Sequence, residues 1–237
     1  MIITHELPAH AGAIEALLDG SFGPKRHTKT VYKLRRGVAH LPELSFVAMD
    51  DDGQGGQKLV ATIRYWPVLI GGSVQAVMLG PIAVDPAYRS AGLGATMIRY
   101  SLEQAKLLGH RIVILVGDAP YYVRFGFSRE KALGLSLPGP VDPDRFLGLE
   151  LAEGAMDGLT GMVGRAAPAR ATLRGAVRSG AAARIRSIAP TAQDGTVIQG
   201  LPAPAAAEVQ ADADMMAAAP LAAAAGGSRR RLRRSMR

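Results

Sequence analysis

Three stretches of the 237-residue sequence hold residues whose types and spacing could do chemistry. The first is Val84-Asp85-Pro86-Ala87-Tyr88-Arg89-Ser90-Ala91-Gly92-Leu93-Gly94-Ala95. A helical pattern begins inside its glycines, so unpaired N–H groups and a positive dipole end would face the loop. Gly92 and Gly94 have no Cβ and let an anion reach the backbone, while Arg89 adds a charge suited to phosphate oxygens. The loop thus suits a pyrophosphate, or it is a plain glycine-rich helix start with a solvated Arg89. It has no Gly-Lys-Ser/Thr of a Walker loop and not the glycine spacing of the dinucleotide fingerprint.

The second stretch is Leu79-Gly80-Pro81-Ile82-Ala83-Val84. Pro81 has no N–H for a ladder and Gly80 permits a bulge, so this strand is expected to part from a neighbour. An amide-bearing ligand could then pair with the freed backbone, unless the feature is an ordinary edge bulge. The third is Gly117-Asp118-Ala119-Pro120-Tyr121-Tyr122-Val123-Arg124-Phe125-Gly126-Phe127. Pro120 favours a first helical turn and Gly126 a stop. Tyr122 could offer a phenol as an acid. Phe125, Phe127 and one of the two tyrosines read as core.

The surrounding elements must position these stretches. Residues 8–19 have helical spacing, with Gly20 suited to end the helix, and the basic stretch 25–36 suits a second helix. Residues 45–49, 59–68 and 74–84 read as strands joined by the turn 50–56 and by Gly71-Gly72, an antiparallel meander. Residues 93–108 carry a helical apolar face capped by Gly109, and 111–116 form a nearly continuous apolar strand. Strand, helix and strand make a βαβ crossover beside the meander. The class is therefore a mixed α/β (α+β) sheet domain with flanking helices.

Composition divides the chain. The sequence is 48% hydrophobic, contains no cysteine and has a formal charge of +8. The missing cysteines exclude disulfides, thiolate zinc sites, iron–sulfur clusters and a cysteine nucleophile. No metal site is expected. No run of 18 apolar residues and no signal-peptide pattern is present, so a cytoplasmic protein without a membrane span is expected. Residues 1–167 are nearly neutral; residues 168–237 hold 11 Arg, 4 acidic residues, 21 Ala and no aromatic side chain. We read 1–167 as one domain and 168–237 as a mostly disordered tail with transient helix near 171–187. Six of residues 229–237 are Arg, which suits weak nucleic-acid or anionic-surface binding, against a reading as a merely solvated tail.

In this order, the three stretches resemble the GNAT superfamily of acyl-CoA-dependent N-acyltransferases. Arg89-Ser90-Ala91-Gly92-Leu93-Gly94 fits its Gln/Arg-x-x-Gly-x-Gly/Ala motif, and Tyr121-Tyr122-Val123-Arg124-Phe125-Gly126-Phe127 looks like its second signature, Tyr-x-x-x-Gly-Phe. Phe22-Gly23-Pro24, Trp66-Pro67-Val68 and Gly117-Asp118 are similar in style to the YhbS-like branch. The resemblance covers residues 1 to about 165 and implies a mostly antiparallel GNAT-like sheet. It implies acetyl transfer from acetyl-CoA to a primary amine, of a small molecule or a protein, by direct attack. Ile82, Ala83 and Val84 would bind the pantetheine arm, residues 89–94 the pyrophosphate, and Tyr122 would protonate the leaving thiolate. Asp118 would stand near the pantetheine arm. A longer acyl-CoA, or acyl carrier protein, is the alternative donor. Glu43 and His40 are candidates for a base only by proximity, and the base stays unassigned. The stretch Lys25-Arg26-His27-Thr28-Lys29 with Arg35-Arg36 reads as a solvated helix face, or as a recognition patch for an acidic substrate or the CoA 3′-phosphate.

Overall fold

The structure, a computed structural model, describes residues 1–166. The tail 168–237, its arginine cluster and the helix expected near 171–187 lie outside the described residues. The chain starts with an edge strand β1 (Ile2–His5), which the sequence reading missed. Helix α1 (Ala11–Phe22) follows a single turn at Pro8–His10. It runs through Gly20, contrary to expectation, and stops at Gly23, whose φ of 77° suits a residue without Cβ. The basic stretch is also not one helix. A 3₁₀ turn at Pro24–Thr28 and α2 (Thr30–Arg35) are separated by Lys29, which is extended.

The meander is as expected: β2 (Phe46–Asp51), β3 (Gln57–Ile70) and β4 (Val74–Val84) pair antiparallel. The crossover also forms, through α3 (Leu93–Leu107) to β5 (Ile112–Val116), and β5 lies parallel to β4. A one-turn helix α4 (Ala119–Tyr122) continues as a 3₁₀ turn to Phe125 and ends at Gly126 with φ 86°. The remaining strands are β6 (Leu135–Ser136), β7 (Phe146–Glu150) and β8 (Gly161–Arg165). The sheet order is β1-β2-β3-β4-β5-β7, with β8 on the far end of β3 and β6 against β8. Apart from the β4–β5 and β6–β8 pairs the ladders are antiparallel.

Two features of β4 shape the site. Its register against β3 shifts between Ile63/Ile82 and Tyr65/Leu79, so β4 holds one extra residue at Gly80-Pro81, where the peptide bond is cis. Its parallel pairing with β5 stops at Met78 and Ile114, although β4 runs on to Val84 and β5 to Val116. Val77 and Leu79 pack in the cluster under α3, and beyond the bulge Ile82 and Val84 rejoin it. Ala83 packs against Ile14 and Leu18 of α1 on the other face. Leu34 of α2 packs on that other face too, with Val68, Met78 and Ile114. No helix among the described residues is long and apolar enough to cross a membrane.

Candidate active site

The parted strands form a gap. Ile82, Ala83 and Val84 are buried on β4 beyond the bulge, and the edge of β4 that faces β5 has lost its partner there. Groups of this kind are costly to leave unpaired away from water, so they invite a ligand with amide donors and acceptors. Because β4 and β5 are parallel, the loops after both strands open on the same side of the gap.

After β4, the segment Pro86–Ala91 forms a 3₁₀ turn, begun by the Asp85 carboxylate accepting from the Ala87 N–H at 2.9 Å. Ser90 and Ala91 lie at its end. Gly92 then adopts φ 66° and caps α3. The Thr96 N–H donates to the Gly92 carbonyl at 3.1 Å, so Leu93, Gly94 and Ala95 enter the first turn with no intrahelical acceptor. Arg89 is half-buried, and its Nε donates to the Val84 carbonyl at 3.3 Å. That tether draws the guanidinium stem back to the end of β4. The loop therefore combines a helix N-terminus, a left-handed glycine and a fixed cation.

After β5, Asp118 caps α4 through its carbonyl, which accepts from the N–H groups of Tyr121 and Tyr122 at 3.1 Å each. Its side chain makes no capping hydrogen bond. The Tyr122 ring packs on Gly117: a Cβ at Gly117 would sit 2.2 Å from its Cε2. Phe127 and Tyr121 make T-shaped contacts with the Tyr122 ring at centroid distances of 5.9 and 5.1 Å. Both tyrosines are buried, where the sequence suggested that only one belonged to the core. Next to Tyr122, the Tyr65 hydroxyl on β3 shares a 2.8 Å hydrogen bond with Ser101 of α3. Burial pushes the Tyr65 phenol above its ordinary range; the Ser101 bond pulls it back in part, and the neighbouring Tyr122 adds a smaller upward push.

The opposite side of the bulge holds a cleft of about 290 Å³ that the sequence reading did not identify. Glu15, Arg26, Tyr32, Arg35, Arg64 and Trp66 line it together with Pro81. Arg26 is 3% exposed and Arg35 8%, so these two depart from the solvated face expected of the stretch, while Lys25, His27, Thr28, Lys29 and Arg36 are exposed. Arg26 pairs with Glu15 and Asp19 and donates to the Tyr32 hydroxyl at 3.0 Å. Arg64 makes two 2.7 Å bonds to Glu6 and a longer one to Glu15. Glu15 lies below the ordinary carboxylate range: partial burial opposes its ionisation, but the Arg26 and Arg64 bonds and charges outweigh it. The base candidates do not line the cleft. His40 stacks edge-on behind Trp66 at 5.6 Å, with Nε2 3.6 Å from Glu6, and burial lowers its basicity. Glu43 is exposed on the turn Pro42–Leu44.

The profile of the Acetyltransferase (GNAT) family matches residues 12–127. The Escherichia coli K12 protein named uncharacterized N-acetyltransferase YhbS is 34% identical over 164 residues, which are 69% of this chain and 95% of that protein. The structure of Escherichia coli YhbS in complex with CoA aligns with a TM-score of 0.58 at 33% identity, over 69% of this chain and 88% of that one. A GNAT family acetyltransferase from Brucella melitensis in complex with acetyl-CoA aligns with a TM-score of 0.51 at 30% identity, over 70% of this chain and 95% of that one. With a mixed, mostly antiparallel sheet parted at the Gly80-Pro81 bulge, and that degree of identity along nearly the whole of a relative, this chain belongs to the GNAT family of acetyltransferases.

Proposed function

We propose that the protein transfers an acetyl group from acetyl-CoA directly to a primary amine, and that residues 1–167 carry this activity. The observation that carries the reading is the gap between β4 and β5, closed at Met78/Ile114 and open toward the Gly92-capped loop. The gap suits an arm with two amides, and the loop suits a pyrophosphate. CoA in the YhbS complex and acetyl-CoA in the Brucella melitensis complex support that assignment. In this reading Ile82, Ala83 and Val84 pair with the pantetheine arm, and residues 89–94 hold the pyrophosphate through backbone N–H groups and Arg89. Asp118 borders the arm where β5 ends.

The chemistry then needs few groups. The neutral amine attacks the thioester carbonyl, and a C–N bond forms as the C–S bond breaks. Backbone N–H groups freed at the bulge stabilise the oxyanion. The departing thiolate takes a proton from the Tyr122 phenol, and the proton given up by the amine passes to solvent, from which Tyr122 regains one, so a single proton moves net from amine to thiol. Holding both reactants in one complex supplies much of the acceleration, and no covalent enzyme intermediate is required. Titration calorimetry of the full chain with acetyl-CoA tests the reading. Saturable binding below millimolar concentration, followed by acetylation of members of an amine panel, is expected. Absence of binding at millimolar acetyl-CoA overturns it. A panel of acyl-CoA lengths in the same assay separates acetyl from longer donors.

A further inference from the structure

The cleft beside the bulge contains a cation with no counter-ion. Arg26 and Arg64 are matched to Glu15, Asp19 and Glu6. Arg35, at 8% exposure, has no carboxylate partner among the described residues, and its Nε has no hydrogen-bond partner. Its guanidinium lies over two rings, 4.7 Å from the Tyr32 centroid and 5.6 Å from that of Trp66. Burial pushes the guanidinium down to about 10, which still leaves it charged at neutral pH. The Trp66 Nε1–H, on the same cleft, is a second buried donor without a partner. A native protein leaves few such groups, and here the two residues that carry them line one cleft.

We propose that this cleft is the acceptor subsite and that Arg35, with Trp66, recognises a carboxylate carried by the amine substrate. The proposal rests on the acetyl-transfer reading for the ligand being the acceptor. Position supports it: the tip of Arg35 lies 3.2 Å from where a Cβ on Gly80 would stand, and Pro81 lines the cleft. The next residues, Ile82 to Val84, are those assigned to the thioester arm. Charge selects the anion. Four arginines, Arg26, Arg35, Arg36 and Arg64, line the cleft and three carboxylates, Glu15, Asp19 and Glu6, pair with Arg26 and Arg64, so one positive charge remains for a monoanion rather than for a phosphate dianion. A flat guanidinium held against two rings matches a flat carboxylate. The volume lies at the lower end of small-molecule sites, about 300–1,000 Å³, which suits an amine of amino-acid size.

Trp66 is the single tryptophan of the chain, so its fluorescence reports on the cleft directly. The full-length protein, saturated with CoA, is titrated with ω-amino carboxylates of two to six carbons and, in parallel, with their primary amides. The same pairs are assayed for acetylation by acetyl-CoA. Carboxylates should perturb Trp66 fluorescence at concentrations about ten- to a hundredfold below the amides and show a similar preference in kcat/KM, as expected for a charge-assisted hydrogen bond. In Arg35→Met the preference should collapse to about twofold, with the KM for acetyl-CoA unchanged, and Arg35→Lys should restore part of it. Equal response to carboxylates and amides, a preference that survives in Arg35→Met, or no response from any carboxylate overturns the proposal. Should Arg35→Met not fold, the matched pairs on the unmodified protein decide alone, and Trp66→Phe, which keeps a ring but loses the N–H, supplies the second variant. If acetyl-CoA does not bind while carboxylates still perturb Trp66, the acetyl-transfer reading fails and the anion site stands.

Discussion

The two sides of the Gly80-Pro81 bulge are built from different materials. On the side of β5, the gap and the loop into α3 offer main chain: the free edge of Ile82–Val84, a left-handed Gly92 and the first turn of a helix. On the side of α1 and α2, the cleft offers long charged side chains drawn from α1, the turn Pro24–Thr28, α2 and β3. Main-chain groups are the same whatever the side chains, so they suit a partner that never changes, such as a pyrophosphate and an amide arm. A partner chosen from many amines must be read by side chains. In this reading the donor half is generic and the acceptor half is particular to this chain.

Four variants can break or sharpen that contrast. Arg64→Met should have the largest effect, because it leaves Glu6, whose side chain is 8% exposed, without its bidentate partner. Removing one member of a buried pair costs about 3–5 kcal/mol, to be read from urea unfolding, whereas Arg35→Met strands no carboxylate and should change stability by no more than about 1 kcal/mol. If both variants unfold alike, the cleft arginines are structural and the contrast fails. Tyr122→Phe should lower kcat about a hundredfold with little change in acetyl-CoA binding, measured by steady-state kinetics beside calorimetry. A kinetically silent variant removes Tyr122 as the acid. Arg89→Glu should weaken acetyl-CoA about ten- to a hundredfold with kcat within about threefold, which calorimetry and initial rates resolve.

The smallest effect concerns pH. The folded Glu15 carboxyl titrates below its unfolded value, so its contacts with Arg26 and Arg64 stabilise the fold above the ordinary carboxylate range. That contribution is lost as the pH falls and Glu15 takes up a proton. Glu15→Gln should therefore flatten the melting temperature between about pH 5 and 3, followed by circular dichroism. An unchanged acid slope would mean that Arg26 and Arg64 do not act on Glu15 in solution.

The same contrast explains what could be read from the sequence. The donor half announces itself locally: Pro81 cannot serve a ladder, Gly92 must turn a strand into a helix, and Gly126 must stop α4. The order β2-β3-β4-α3-β5 followed from apolar spacing alone. Strand β1 is four residues long and β6 only two, and β8 has glycine at both Gly161 and Gly164, so none of them carries a run that marks a strand. The acceptor half stayed one of two readings, a recognition patch for an acidic substrate or a solvated face, because a charge run looks the same whether water or carboxylates surround it. The partners of Arg26 lie up to 11 residues away, and Glu6 lies 58 residues from Arg64. One signal was present: Arg64 sits inside the apolar run 59–68, where a charge requires a buried counterpart.

The added residue at Gly80-Pro81 also imposes a counting rule on the chain. A strand alternates its two sides, so one inserted residue swaps them for everything downstream. Helix α3 meets the odd-numbered Val77 and Leu79 before the bulge and the even-numbered Ile82 and Val84 after it. Loss of one residue there would turn Ile82 and Val84 toward α1 and send Ala83 beneath α3. Loss or gain of two would leave each side chain on its own side. The end of β4 can therefore change length only by even steps. Parity, more than the identity of either residue, keeps the buried ends of β4 and the gap beside them in phase.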